Sequence, residues 1–583
     1  MKVVLTTLNA KYIHSSLALR YLKKYCKDLM PIEILEFTIN NHLLDIVGQI
    51  YEKRPNVIGF ACYIWNIEMT IKIIGLLRKV LPETKIICGG PEVSYDGIEF
   101  LKKHQAVDYI VLGEGEETFY QLLARLQSKQ EIKDIVGVIE QNKKVDGKRA
   151  VVVENLNTIP FPYQEQDMDG LKDKIIYYES SRGCPFSCQY CLSSATKGVR
   201  FFSIERVLKE LEFFIQHNVR QVKFVDRTFN AKKSHYIPIL KFLLKQECQT
   251  NFHFEVAVDL LDEEVLDILS KMPKGRVQLE IGIQSTNLET LESIQRKNQW
   301  EKIVGNVGKI LSFHNIHMHL DLIIGLPKED YRSFAKSFND VYALKPHMLQ
   351  LGFLKMLKGS GIAQNHQVDE YIFMDSAPYQ VLANRYISYE KIRFLQIFEE
   401  VFELYYNAGR FRNVTEYLIR LENNDAFHFY EKLTQYWIMR KLHLVAHTTK
   451  VLYQYLYDFC EVYEPKEIKI IKELMKFDAL TTDKGSIRPA FLNWNEDLYY
   501  EANADFWRKN WAEKYIKNYK FTTWRDIKKK YHIEFFSIDI FTLIKSGVII
   551  EEKTAVLFSL EQEEIQYQKL EVKDFLQGDC HDL

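Results

Sequence analysis

Three cysteines of this 583-residue sequence fall within eight positions. They are Cys184, Cys188 and Cys191, in the run Ser180-Ser181-Arg182-Gly183-Cys184-Pro185-Phe186-Ser187-Cys188-Gln189-Tyr190-Cys191. Thiolates at C-x3-C-x2-C on one tight loop can hold three corners of a cube-shaped iron–sulfur cluster. No fourth cysteine is close, and a metal corner without a protein ligand is open to chemistry, as in catalytic zinc sites. Structural zinc is the alternative, but it wants a fourth Cys or His nearby, and the next histidine, His217, is 26 residues on. The other cysteines (Cys26, Cys62, Cys88, Cys248, Cys460, Cys580) stand singly. An odd total of nine, so scattered, argues for a reducing cytoplasm and against a disulfide framework.

The loop follows an apolar strand candidate at 175–178, and five more recur at 222–225, 252–258, 277–283, 318–324 and 349–354. Helical segments separate them at intervals of roughly 25–50 residues, which predicts repeated βα units and a full or partial α/β barrel over 173–375. Ahead of it, residues 1–150 alternate strand (3–5, 32–37, 57–60, 85–88, 109–112) with helix (15–24, 67–80). Gly-rich turns at the strand ends predict an open, doubly wound, Rossmann-like α/β sheet. Such sheets bind ligands at the carboxyl ends of their strands. Those ends bring forward Asn9, Tyr63, Gly89, Gly90, Gly113, Glu114 and Gly115 as candidates. Gly113-Glu114-Gly115-Glu116-Glu117-Thr118 is no dinucleotide fingerprint, since the third glycine is missing and its carboxylates would repel a pyrophosphate. Residues 151–172, with Pro160 and Pro162 and no periodicity, read as a linker. From 376 to 583 helical spacing takes over (Phe394, Ile397, Val401, Leu404), predicting a third, mainly α-helical domain.

Composition agrees with a soluble globular chain, 47% hydrophobic and 27% charged. A net charge of −1 excludes a global electrostatic grip on nucleic acid or an anionic membrane. The apolar start at 3–8 is too short for a secretory signal, and no run approaches the roughly 18 apolar residues of a membrane span.

The cysteine spacing, with the aromatic Tyr190 before the last cysteine, resembles the radical S-adenosylmethionine (SAM) superfamily. The resemblance covers 172–375 and is carried further by motifs near the ends of successive strands. Phe224-Val225-Asp226-Arg227-Thr228-Phe229-Asn230 stands where the family places its SAM amino-group binder, which implies Asp226, although the Gly-Gly-Glu form is absent. Glu255 and Gln284 (in Glu280-Ile281-Gly282-Ile283-Gln284-Ser285) would take the ribose hydroxyls, and Arg296 the SAM carboxylate. Asp321 to Pro327 looks like the family's fifth strand, and Leu354 to Ser360 like its sixth-strand exit. The α/β domain ahead of the barrel resembles that of the cobalamin (B12)-binding subgroup, whose layout ends in a variable C-terminal domain. The D-x-H-x-x-G motif is missing, and Asn40-Asn41-His42-Leu43-Leu44-Asp45 fails at Asp and Gly. A bound cobalamin is therefore expected without a histidine on its cobalt.

The resemblance implies a 4Fe-4S cluster that cleaves SAM to a 5′-deoxyadenosyl radical, for methylation or related modification of an unactivated carbon. A flavodoxin or ferredoxin would supply the electron. Cyclisation or rearrangement without methyl transfer, or a non-catalytic iron–sulfur scaffold, share these features. Segment 508–530 suggests another partner: nine Lys or Arg are interleaved with Trp511, Tyr515, Tyr519, Phe521 and Trp524. Basic residues among stacking rings suit single-stranded RNA. The opposing reading is an amphipathic helix with its rings inward, balanced by Glu561, Glu563 and Glu564.

Overall fold

A computed structural model describes the chain except residues 133, 144–149, 196–197, 495–498, 510, 562–564 and 572–583. Cys580, Glu563 and Glu564 lie outside the described residues. The chain divides into two compact units, Met1–Ile392 and Arg393–Leu583.

The first unit opens with strands β1 (Val3–Asn9), β2 (Ile32–Thr38), β3 (Val57–Ala61), β4 (Lys85–Gly89), β5 (Tyr109–Val111) and β6 (Val138–Glu140). They form one sheet in the order β2-β1-β3-β4-β5-β6. The first five are parallel; β6 runs antiparallel to β5. Every residue of β1 and β3 is buried, as befits strands covered on both faces. Ile58, Phe60 and Ile86 pack with Ile46, Ile73 and Leu77 on one face. Val57, Leu5 and Ile87 pack with Leu19, Phe119 and Leu122 on the other. The strand order reverses between β1 and β3, where an open sheet leaves its ligand crevice.

The segment 151–172 is not a free linker. Leu156, Ile159, Tyr163 and Leu171 are buried, and Tyr163 donates through its hydroxyl to Tyr177 O. Beyond it come β7 (Ile176–Tyr178), an antiparallel hairpin of β8 (Ser181–Cys184) and β9 (Gly198–Phe201), and then β10 (Gln221–Phe224), β11 (Asn251–Glu255), β12 (Val277–Gln284), β13 (His317–Ile324) and β14 (Met348–Phe353). Six of these make a parallel sheet in the order β14-β13-β12-β11-β10-β7. This is the expected partial (β/α)6 barrel, strand for strand. The unit runs past the expected boundary at residue 375. Two short strands, β15 (Ile372–Phe373) and β16 (Val381–Ala383), fold back on the barrel. Val381 N donates to Leu354 O, and Tyr371 Oη and Asn384 Nδ2 both donate to Gly325 O. Those bonds hold residues 376–392 to the first unit.

The second unit is mainly helical (Arg412–Leu421, Ala426–Met439, Thr449–Tyr463, Ile468–Thr481), as expected, but it also holds a sheet that the periodicity did not reveal. Strands β17 (Tyr531–Phe536), β18 (Thr554–Ser559) and β19 (Gln566–Leu570) pair antiparallel in that order. The basic aromatic segment packs its rings inward. Trp507, Tyr519 and Ile527 are buried with Ile533 and Leu557, and Trp511, Tyr515, Phe521 and Trp524 lie against them. Lys514 and Lys530 pair with Glu571 and Glu561. Trp507 and Tyr519 are core and the other rings lie against them, as the reading with rings inward expects. No described helix is long and apolar enough to cross a membrane.

Candidate active site

Hairpin β8–β9 presents the cysteine loop. Cys184 ends β8, Cys188 is buried in the loop, and Cys191 precedes the 3-10 turn Leu192–Ala195. Burial raises the Cys184 thiol above its ordinary pKa, and its sulfur lies 3.5 Å from Thr228 Oγ1. Ser193 N donates to Cys191 Sγ at 3.4 Å. Among the described residues no three His, Cys, Asp or Glu side chains converge as a single-ion site. Three thiols on one loop suit a cube-shaped cluster, which takes one thiolate at each of three separate irons and does not need them to converge on one ion.

Arg296 locks this loop to β12. Its Nη1 lies 3.7 Å from Cys188 Sγ and 3.2 Å from Tyr190 Oη, its Nη2 donates to Gly282 O, and its Nε donates to Asn298 Oδ1. A cation beside a sulfur ligand balances the negative charge that thiolates bring. Arg296 and Tyr190 therefore brace the loop with groups that the sequence reading assigned to SAM. Gln284 follows a bulge in β12 and sits at φ 72°, a conformation rare for a residue with a side chain. Its Oε1 is buried without a hydrogen-bond partner. A strained residue with an orphaned acceptor is a candidate ligand contact.

The barrel interior carries more ionisable groups than the sequence reading named. Lys223 Nζ and His253 Nε2 approach Glu280 Oε2 at 3.0 and 2.9 Å. Burial alone would push Glu280 up, but His253 and Lys223 outweigh it and take its pKa down to about 2. His319 Nε2 lies 3.0 Å from Asp321 Oδ1, at ion-pair distance without the alignment of a hydrogen bond. Burial raises Asp321, and burial raises Glu255 against the pull of Arg227. The signal for this set was present: His317, His319 and Asp321 alternate with apolar residues along β13, and His253 and Glu255 do so along β11.

Asp226 has a different task from the expected one. It is 1% exposed and accepts from Ser180 N at 2.8 Å, Ser180 Oγ at 2.7 Å and Ser181 Oγ. Burial pushes its pKa up to about 6. His235 Nε2 lies 3.0 Å from Ser180 Oγ and closes the network. Asp226 thus anchors the start of β8, and through it the cysteine loop, and does not offer a free carboxylate to an ammonium group.

Around the strand ends of the first sheet the candidates divide. At β1 and β3, the crevice side, Tyr63 stacks on Trp65 with centroids 4.5 Å apart, and Tyr12, Ile13 and Leu44 are exposed beside the neighbouring strand ends. Gly90 has φ 108°, and a Cβ there would stand 2.5 Å from Cys62 O, so only glycine lets the chain turn this closely past β3. A stacked aromatic pair and a close glycine turn at these strand ends suit the approach of a flat, largely apolar ring system. Asn9, however, is buried and donates to His14 O and Glu36 Oε1. His14 Nδ1 is 2.8 Å from Tyr177 Oη, a contact with the barrel.

At β4 and β5 the strand ends dock on the barrel. Tyr379 Oη donates to Glu92 Oε2 at 2.8 Å, Lys358 pairs with Asp96 at 2.8 Å, and a Cβ on Gly359 would overlap the Tyr95 ring. A Cβ on Gly113 would strike the Val151 backbone, and Gly115 precedes the helix Glu116–Gln127. Glu114 pairs with Arg200 and Arg182 and accepts from Val153 N. Gly113 and Glu114 thus have protein neighbours on the segment after β6 and on the hairpin, while Gly115 lies beside Leu22 and Val111.

Comparison with known proteins assigns three stretches of the chain to family models. Residues 3–123 match the B12 binding domain, 178–341 match the Radical SAM superfamily, and 369–558 match a family described as a protein of unknown function, DUF4080. The chain is 29% identical over 337 residues to the cobalamin-dependent radical SAM methyltransferase TokK of Streptomyces tokunonensis, covering 54% of this chain and 49% of that one. It is 30% identical over 311 residues to the 2-(S-pantetheinyl)-carbapenam-3-carboxylate methyltransferase of Streptantibioticus cattleyicolor, covering 50% and 46%. The chain thus spans about half the length of these curated relatives. Its fold is similar to that of the cobalamin-dependent SAM radical enzyme OxsB with aqua-cobalamin bound: TM-score 0.60 at 15% identity, over 84% of this chain and 82% of that one.

Proposed function

We propose that this chain, which belongs to the cobalamin-binding group of the radical SAM superfamily, reductively cleaves SAM and methylates an unactivated carbon of its substrate. The observation that carries the reading is the braced loop of Cys184, Cys188 and Cys191 beside an open strand-end crevice in the same compact unit. When bound, the two cofactors supply one-electron cleavage of SAM and delivery of a methyl group. Cys184, Cys188 and Cys191 would hold the cluster through three of its irons, and the loop supplies no fourth protein ligand. Arg296 keeps positive charge beside Cys188, and Asp226 holds β8 in place through Ser180 and Ser181. Gln284, Glu255 and Asp321 supply acceptors for the hydroxyl and ammonium groups of SAM. Tyr12, Ile13, Leu44 and Trp65, exposed after the strands of the first sheet, would cover a bound corrin and shield it from water. A low-potential one-electron donor, a flavodoxin or ferredoxin in a reducing cytoplasm, completes the reaction.

The test is anaerobic reconstitution of the full chain with iron, sulfide and hydroxocobalamin, followed by SAM and a reductant. The wild type is expected to retain iron and corrinoid and to form 5′-deoxyadenosine. A Cys184→Ala/Cys188→Ala/Cys191→Ala variant that still forms it, or a wild type that retains no corrinoid, overturns the reading.

A further inference from the structure

The strand that ends in Cys184 is tied to the B12-type sheet by a buried ionic cluster. Arg182, two residues before Cys184, donates from Nη2 to Glu116 Oε1 at 2.6 Å and to Glu179 Oε1 at 2.7 Å, and from Nη1 to Glu114 Oε2 at 3.3 Å. Arg200 donates from both Nη1 and Nη2 to the two oxygens of Glu114, and also to Val153 O. The Arg182, Glu116 and Glu179 side chains are 12%, 6% and 10% exposed, so these pairs are far less screened than surface ones. The Arg182 guanidinium also lies over the Tyr21 ring, 5.5 Å from its centroid.

The hairpin register gives this cluster its meaning. Arg182 stands directly opposite Arg200 across β8 and β9, and two pairs further on, on the same face, Cys184 stands opposite Gly198. Two like charges directly across a strand pair repel. Glu114, from the turn after β5, reaches both arginines and removes that repulsion. Without it the hairpin would open at the position that sets Cys184. Glu114 also accepts from Val153 N, and the neighbouring Gly113 bridges Val151, so the turn that carries it is itself fixed.

We infer that Glu114, Arg182 and Arg200 are positioning residues. They hold the cluster-bearing hairpin in fixed register with the corrin-binding sheet, so that the two cofactor sites keep one geometry. The inference rests on the proposed role of Cys184 as a cluster ligand. None of the three touches a reacting atom; they act through the cysteine loop.

The experiment uses the full chain, reconstituted anaerobically, with three variants: Glu114→Gln, Glu114→Gln/Arg200→Met, and Arg276→Lys as control. Arg276 is a buried arginine of the same unit that donates to Leu243 O, Gln246 O and Cys248 O, away from the loop. Iron release to a chelator is timed, and the electron paramagnetic resonance spectrum of the reduced cluster is recorded with and without SAM. Glu114→Gln leaves a buried arginine without its carboxylate, and iron release is expected to accelerate about tenfold or more, with a broadened spectrum. Removing the unpaired cation in the double variant is expected to return release to within about threefold of wild type. Arg276→Lys is expected to lower the thermal midpoint without changing release or spectrum. Release at the wild-type rate in Glu114→Gln, no rescue in the double variant, or equal acceleration in Arg276→Lys overturns the inference. A wild type that holds no cluster removes the proposed function and this inference together.

Discussion

Two glycines of one hairpin separate backbone strain from steric contact at the cluster loop. Gly183 has φ 103° and Gly198 has φ 82°, both in the region that side chains avoid. A Cβ on Gly183 would stand 2.1 Å from Gly198 O, whereas one on Gly198 meets nothing within 4 Å among the described residues. Either alanine therefore carries a conformational cost of about 1–3 kcal/mol. Only Gly183→Ala must also move backbone, because an ordinary carbon–oxygen approach is about 3.3 Å. A shift of that size, about 1 Å, pulls β8 from β9 beside Cys184 and weakens about two ladder hydrogen bonds, each worth about 0.5–1.5 kcal/mol. The difference between the variants is then about 1–3 kcal/mol, which is roughly one to two decades in the population of the opened hairpin. Iron release from reconstituted protein to an excess of chelator reads that population. Gly183→Ala is expected to lose iron roughly 10- to 100-fold faster than Gly198→Ala. Equal rates would refute the reasoning, because they would show that the close approach of β8 to Gly198 does not determine where Cys184 stands.

Three further outcomes follow from the same geometry. Burial holds the Asp226 carboxyl up to about 6, so the folded state binds its proton more tightly than the unfolded chain does. Its contribution is full below pH 4 and is lost as pH rises through about 6, about 3 kcal/mol in all; urea midpoints of wild type against Asp226→Asn should show this slope in the wild type alone, and parallel profiles would remove it. A Cβ on Gly282 would stand 2.1 Å from Gln284 Nε2, so Gly282→Ala displaces that amide; SAM titrated into the reduced cluster should bind about five- to tenfold more weakly with iron content retained, and unchanged affinity would show that Gln284 does not face SAM. Single-stranded RNA should migrate unshifted with the full chain at low salt, because the rings of 508–530 are packed in the core.

The barrel was legible because its strands are short apolar-rich runs recurring between helical segments, and such runs need no knowledge of their partners. All six strands fall where those runs are. Strand β6 was not legible: it has three residues and pairs antiparallel at the sheet edge. The sheet of the second unit was hidden for another reason. Strand β17 reads Tyr-His-Ile-Glu-Phe-Phe, with five of six residues buried, and it follows the helix Trp524–Lys530 with no turn residue between, so no break in the sequence sets it apart from the aromatic helices before it. The boundary at Ile392 depends on bonds such as Asn384 Nδ2 to Gly325 O, across 59 residues of sequence.

The same distinction governs the site. Cysteine spacing is local chemistry, and the triad could be read directly from it. A carboxylate announces that it wants a donor, but not which one, and here the choice is made in three dimensions. Asp226 takes its donors from Ser180 and Ser181, about one barrel unit away, and Glu114 takes Arg200 from 86 residues further along. Both acids stand next to strand ends, and each meets protein donors there that lie far off in sequence. The structure turns each from a presumed contact into a support for the cysteine loop. A loop that must hold three thiolates with one cluster corner left open needs such supports, since the missing fourth ligand cannot help to fix it. Asp226 holds one end of β8 and Arg182 fixes its middle, while Arg296 braces the buried Cys188. The cost of ordering the loop is thus met by protein contacts before any cofactor arrives, which is the preorganisation that a site with an open metal position requires.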